Sequence, residues 1–283
     1  MRLLRYGPKG QEKPGIVDRH GAIRDLSGVI RDLDGPHLGD GTMAQLRALD
    51  AESLPLVPGR PRIGPCVAGT GMFHAIGLNY RDHAAETGAR VPTEPMLFTK
   101  SVYSICGPDD DVIQPRGSTK LDWEAELGVV IGKTGKYIAE ANAFEHVAGY
   151  CVVNDVSERG FQKDREGQFV KGKSGDNFGP IGPWLVTRDE IPDPQKLRIW
   201  LEVDGARRQD GTTADMIFGV RFLVSYLSQF MTLRAGDIIT TGTPAGVGQG
   251  MKPETYLRPG QRIRLGVEGL GEQSQLVVAD RQD

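Results

Sequence analysis

In "LDWEAELGVVI", residues 121–131, Trp123, Ala125, Leu127, Val129 and Ile131 fall on one face of an extended chain, and Glu124 and Glu126 on the other. This alternation predicts a strand buried on one side, and by itself it is compatible with a solvated face carrying two acids. "HVAGYCVVND" is almost continuously apolar, which predicts a strand buried on both faces and ending at Asp155. The pieces around "GIVDRHGAIRDLS" turn at "DRHG", "LRIWLEVDGARRQDG" reads as a hairpin turning at Asp204–Gly205, and "QRIRLGVEGLGEQSQLVV" as a closing strand pair. Helical spacing is scarce. It is clearest in "GVRFLVSYLSQFMTL", where Phe222, Tyr226 and Phe230 stand at intervals of four and are expected to pack into the core. Shorter helices are expected at "GTMAQLRALD", capped by Thr42, and at "NYRDHAAETG", ended by Gly88.

The 38 glycines and 18 prolines follow no short period and leave room for many turns, so the expected class is α+β and β-rich. The Pro- and Gly-rich "SLPLVPGRPRIGP" separates a small N-terminal α+β domain, residues 1–65, from a larger domain, residues 66–283. A formal charge of -3, from 34 basic and 37 acidic residues, gives no field for a polyanion, so nucleic acid is not an expected partner. No apolar run approaches the ~20 residues of a membrane span, and Gly and Pro interrupt the first residues before a signal-peptide pattern develops. Cys66, Cys106 and Cys151 are odd in number and form no CxxC pair, which argues against a disulfide framework or thiolate zinc site. A cytoplasmic protein without a membrane partner is expected.

Asp155 ends a buried strand, where a carboxylate needs hydrogen bonds, a counter-charge or a metal. With Glu124 and Glu126 it forms an oxygen donor set suited to Mg²⁺ or Mn²⁺; the competing reading is two solvated acids and a capping Asp. In a helix, His83 and Glu86 share a face and could act as an oriented base pair or as an ordinary surface ion pair. "KGKSGDNFGPIGPWLV" offers Lys171 and Lys173 to a substrate oxyanion or to solvent. "GDIITTGTPAGVG" is a strand entering a loop whose hydroxyls and backbone N–H groups could grip a carboxylate; it is neither a Walker A sequence nor a dinucleotide fingerprint.

In this order, "GLNYRDHAAE", "LFTKSVYS", "LDWEAELGVVIGK", "GYCVVNDVSERGFQ", "KGKSGDNFGPIGPWLV" and "GDIITTGTPAGVG" resemble the fumarylacetoacetate hydrolase family from about Phe73 to the C-terminus. The resemblance implies a mixed β-sandwich roll, usually a homodimer, with metal ligands Glu124, Glu126 and Asp155 and catalytic His83, Glu86 and Lys173. It places Lys100, Arg159, Gln162 and Thr243 near the substrate and leaves Lys171 as a neighbour of the site. The leading segment is similar to that of bacterial members acting as ureidoglycolate lyases or as hydrolases of 2,4-diketo-3-deoxy-L-fuconate or -rhamnonate. The implied activity is Mg²⁺- or Mn²⁺-dependent hydrolysis of a carbon–carbon bond in a 2,4-diketo sugar acid, giving pyruvate and a hydroxy acid such as lactate. In that reading Glu86, oriented by His83, draws the proton from water. Ureidoglycolate lyase, oxaloacetate decarboxylase, acylpyruvate hydrolase and a non-catalytic small-ligand binding protein remain open on the same scaffold.

Overall fold

The computed structural model describes residues 1–280, so the last three residues of the expected 66–283 domain lie outside the described residues. A large sheet runs, in spatial order, through Ile23–Asp25, Lys13–Val17, Arg2–Tyr6, Gly179–Thr187, Val147–Asn154, Ala125–Ile131, Ile238–Thr240, Phe73–Gly77 and Met96–Lys100. Its neighbours are antiparallel except Ile238–Thr240 with Phe73–Gly77, and the short Ile105–Cys106 strand joins Gly179–Thr187 in parallel. A second sheet orders Ala206–Thr212, Arg198–Val203, Arg262–Val267, Gly271–Ala279 and Val112–Gln114. The strands of residues 1–65 continue the large sheet, because Leu3 pairs with Leu185.

Period-two alternation explains the layers. Leu127, Val129, Ile131, Tyr150 and Val152 pack with Ile199, Leu201, Ile263 and Leu265 of the second sheet and with Leu223, Val224 and Leu227 of the helix Val220–Phe230. Their neighbours Val130, Cys151 and Val153 face the other way and share a cluster with Leu3, Leu26, Leu33, Met43 and Leu46. Both faces of the central strands are therefore covered, and all seven residues of Ala125–Ile131 are buried. The solvated-face reading of that strand fails for this reason.

The Asp204–Gly205 hairpin turn forms with φ of 50° and 77°, and both strand pairs expected near the C-terminus are present. Two local expectations are corrected. The N-terminal helix is Asp40–Arg47 and opens at Gly39, whose carbonyl accepts the Met43 N–H, so Thr42 lies inside the helix rather than capping it. Met43 and Leu46, three residues apart, share the face this helix buries. Phe222, Tyr226 and Phe230 do not enter the core together: Tyr226 packs half-buried against it, Phe222 is half-buried, and Phe230 is 61% exposed. Phe218, Phe222 and Tyr226 stack at centroid spacings of 5.3 and 5.8 Å, and Phe230 meets Tyr226 edge to face at 5.0 Å. A four-residue step overshoots the 3.6-residue turn, so the aromatic stripe winds off the face that Val220, Leu223, Val224 and Leu227 bury.

Candidate active site

The carboxylate triad depends on an interruption in the strand. Leu121–Asp122 pairs with Ser157–Glu158, Ala125–Ile131 pairs with Val147–Asn154, and Trp123 and Glu124 bridge the two ladders. Their buried backbone is satisfied from elsewhere, as buried N–H and C=O groups must be. Glu124 N–H donates to Asn154 Oδ1 at 3.3 Å, Ala125 N–H to Gln209 Oε1 at 2.9 Å, and Glu124 C=O accepts from Asp155 N–H at 2.9 Å. Trp123 anchors the bridge by donating its indole N–H to Gly246 C=O at 3.1 Å. One carboxylate oxygen each from Glu124, Glu126 and Asp155 then lie within 4.8 Å of one another, all buried.

The three acids have different surroundings. Burial pushes the Glu124 carboxyl up, but the charges of Arg159 and Lys173 outweigh it and hold the group well below the usual carboxylate range. Lys173 Nζ donates to Glu124 Oε2 at 2.5 Å and to Asp155 Oδ2 at 2.7 Å, and Arg159 donates to Glu124 Oε1 at 2.6 Å. Glu126 accepts hydrogen bonds from the Thr240 hydroxyl and the Gly242 N–H, without a cationic partner among the described residues. Burial, then Asp155 and Glu124, push its carboxyl well above the usual range. A buried carboxylate beside two others, short of positive charge, fits a divalent cation.

His83 and Glu86 stand on the helix Arg81–Glu86, which Gly88 terminates at a φ of 66°. His83 Nδ1 lies 2.8 Å from Glu86 Oε1, while Glu86 Oε2 accepts from Gly246 N–H at 2.9 Å. His83 lines the same cavity of about 180 Å³ as the triad, Lys173, Arg159, Gln162 and Thr243. Glu86 is not part of that lining and stands behind the imidazole.

Two expected neighbours fall elsewhere. Lys100 is buried behind the triad, with Nζ donating to Asp155 Oδ1 and to Val156 C=O, and it does not line the cavity. Lys171 is exposed, with Nζ donating to Arg165 C=O at 2.8 Å. Lys171 and Lys173 lie on a helix, Phe169–Lys173, where a two-residue separation turns side chains about 200° apart, so only Lys173 points inward. Thr243 is at the cavity, but its hydroxyl donates to Ala125 C=O and accepts from Gln209 Nε2. The loop after Ile238–Thr240 spends its backbone donors on the protein's own acids: Gly242 on Glu126, Ala245 on Asp82, Gly246 on Glu86, and Gly248 and Gln249 on Asp122. The expectation that these N–H groups grip a substrate carboxylate is corrected accordingly.

Sequence reasoning missed Asp122. It is fully buried, accepts from Trp123, Gly248 and Gln249 N–H, and accepts from Arg159 Nε at 2.8 Å. It thereby ties the loop that holds Glu86 to the arginine that holds Glu124. Its place two residues before Glu124, on the same side of the alternating pattern, was the available signal.

Residues 73–278 match the family model described as fumarylacetoacetate (FAA) hydrolase C-terminal. A Burkholderia multivorans protein provisionally named a hydrolase is 62% identical over 282 residues, covering 99% of this chain and all of the relative. The solved fumarylacetoacetate hydrolase of psychrophilic Exiguobacterium antarcticum is 35% identical with a TM-score of 0.84, covering 99% of this chain and 100% of that one. Maleylpyruvate hydrolase from Sphingobium sp. SYK-6, solved with manganese(II) and pyruvate, is 28% identical with a TM-score of 0.81 at the same coverage.

Proposed function

The chain belongs to the fumarylacetoacetate hydrolase family, and from that premise we propose that it is a metal-dependent hydrolase of carbon–carbon bonds in 2,4-dioxo acids, releasing pyruvate and a second carboxylic acid. The observation that carries the reading is the convergence of Glu124, Glu126, Asp155, Lys173 and His83 on one cavity. The manganese and pyruvate held by the Sphingobium relative support the same pairing of a divalent ion with a 2-oxo acid.

Glu124, Glu126 and Asp155 would hold Mg²⁺ or Mn²⁺, which supplies Lewis-acid stabilisation of negative charge at a substrate 2-oxo group. His83 takes the proton from water on Nε2, the ring nitrogen left free by the Nδ1 contact with Glu86 Oε1, and Glu86 stabilises the resulting imidazolium. This ordering exchanges the expected roles, because His83 rather than Glu86 fronts the cavity. The hydroxide adds to the C4 carbonyl, and Lys173, held charged by Asp155 and Glu124 against its burial, stabilises the oxyanion. Collapse breaks the C3–C4 bond, leaves the electron pair on C3, and releases the acid formed from C4. Protonation of C3 from His83 completes pyruvate. Arg159 and Gln162, joined by a 3.2 Å hydrogen bond, orient the substrate carboxylate.

The test is turnover of 2,4-diketo-3-deoxy sugar acids, acylpyruvates, oxaloacetate and ureidoglycolate with Mg²⁺, with Mn²⁺ and with chelator. Pyruvate and a second acid, formed only with metal, are expected. Turnover confined to oxaloacetate with CO₂, or to ureidoglycolate with urea and glyoxylate, would refute the hydrolase assignment. A cytoplasmic homodimer acting on a small acid, without nucleic acid or membrane, belongs to the same proposal; no described helix is long and apolar enough to cross a membrane.

A further inference from the structure

The strand Met96–Lys100 and the helix Phe169–Lys173 each present side chains in two storeys. On the strand, Met96, Phe98 and Lys100 share a face at steps of roughly 7 Å. On the helix, Phe169 and Lys173 stand four apart and share a face. The lower storey is cationic, since Lys100 reaches Asp155 and Lys173 reaches Glu124 and Asp155. The upper storey is aromatic. Phe98 and Phe169 meet edge to face with centroids 5.3 Å apart, and Lys173 Nζ lies 5.4 Å from the Phe98 ring centroid. Met96, Ile76, Leu78 and Ala89 continue this wall. Met96 lies over Gly77, where an added Cβ would come within 3.1 Å of the Met96 sulfur.

Resting on the hydrolase reading, we propose that the aromatic storey is the acyl-tail subsite and that the substrate is a 2,4-dioxo acid with a short apolar tail. A substrate whose charged head engages the triad and Lys173, the member of the lower storey that lines the cavity, places its tail one strand step outward, against Phe98, Phe169 and Met96. A polyhydroxylated tail, as the resemblance to sugar-acid hydrolases implied, would exchange water for aliphatic and aromatic carbon where it lies on Phe98, Phe169 and Met96, and would have to leave that wall to reach the polar lining groups Thr87, Lys163 and Gln249. The cavity of about 180 Å³ is smaller than the roughly 300–1,000 Å³ of drug-sized sites, which sets the tail as short. Lys163 also lines the cavity and is the group a carboxylated tail would use, so that tail is the competitor to exclude.

The experiment measures kcat/KM of the full chain with Mn²⁺ on 2,4-dioxo acids bearing methyl, ethyl, propyl and butyl tails, one hydroxylated tail and one carboxylated tail. About a three- to fourfold rise per added methylene is expected over the first steps. Both polar tails should fall below the propyl substrate by about tenfold or more. A flat series, or preference for either polar tail, overturns the inference. Calorimetric binding of 2-oxopentanoate, 2-oxohexanoate and 2-oxoheptanoate, whose carbons from C5 onward occupy the tail position, in the presence of Mn²⁺ separates the subsite from the reaction. A ladder in Kd without hydrolysis removes the proposed reaction and supports the subsite, whereas hydrolysis with no ladder in either measurement does the reverse. Phe169→Ala should flatten the ladder and Phe169→Leu restore most of it; a full ladder in Phe169→Ala counts against the proposal.

Discussion

Replacing Asp122 by Asn tests whether the site is held as one network. The carboxylate is fully buried and accepts from Trp123 N–H at 2.9 Å, Gly248 N–H at 2.7 Å, Gln249 N–H at 3.1 Å and Arg159 Nε at 2.8 Å. Oδ1 serves Trp123 and Gly248, while Oδ2 serves Gln249 and Arg159. An asparagine can keep its oxygen on only one of these pairs, and its NH₂ must then face two donors. It also leaves Arg159 with Glu124 as its one remaining carboxylate partner. Breaking one side of a buried ion pair costs about 3–5 kcal/mol. At roughly 1.4 kcal/mol per factor of ten, that is on the order of a hundred- to several thousand-fold in the folded-to-unfolded ratio. Urea unfolding of Asp122→Asn, Arg159→Met and the double variant should show a coupling energy of at least about 1 kcal/mol, because each single change strands the other's partner. A loss below about 1 kcal/mol in Asp122→Asn, or strict additivity in the cycle, would refute the network.

Three further outcomes are expected. Glu126→Gln should weaken Mn²⁺ binding by about a hundredfold or more in calorimetry, since it removes a full negative charge from a three-carboxylate site; unchanged affinity would remove Glu126 from the ligand set. His83→Ala and Glu86→Gln should each lower kcat by about 10²- to 10⁴-fold with metal affinity nearly intact, and wild-type turnover in His83→Ala would exclude it as the base. Asp110 is pushed up by burial, but Arg62 and the Gly107 N–H outweigh this and hold its carboxyl below the usual value. Its contribution to stability is therefore present above the unfolded pKa of about 3.9 and lost as pH falls through the lower folded value. Asp110→Asn should lower stability at pH 7 and flatten the acid limb of the unfolding curve; an unchanged limb would show that the pair contributes nothing.

Most of the secondary structure was legible because it depends on local periodicity: the two-residue alternation of Ala125–Ile131, the apolar run of Val147–Asn154 and the Asp204–Gly205 turn are encoded within short windows. Burial of both faces of Ala125–Ile131 was not, since the cover over Val130 comes from residues near Leu3 and Leu33, far away in the chain. The same division runs through the site. The triad and the His83–Glu86 contact follow from i+2 and i+3 spacings plus one distant strand end. The partners of the interrupted backbone at Glu124, namely Asn154 and Gln209, carry no periodic signature, because a single long-range hydrogen bond leaves no pattern around an amide side chain. The inward and outward turns of Lys173 and Lys171 became readable only when their segment proved helical.

The loop from Gly242 to Gln249 meets its acids through the main chain, and this bears on which of its positions can drift over generations. Every residue except proline carries the same N–H, so exchange of Ala245 for another non-proline residue keeps the donor that reaches Asp82. Gly246 and Gly248 have no such latitude, because an added Cβ would lie 2.0 Å from Arg208 C=O in the first case and 1.9 Å from Thr255 C=O in the second. Variation at Ala245 can therefore accumulate without disturbing the geometry, whereas at these two glycines what selection guards is the absence of a side chain.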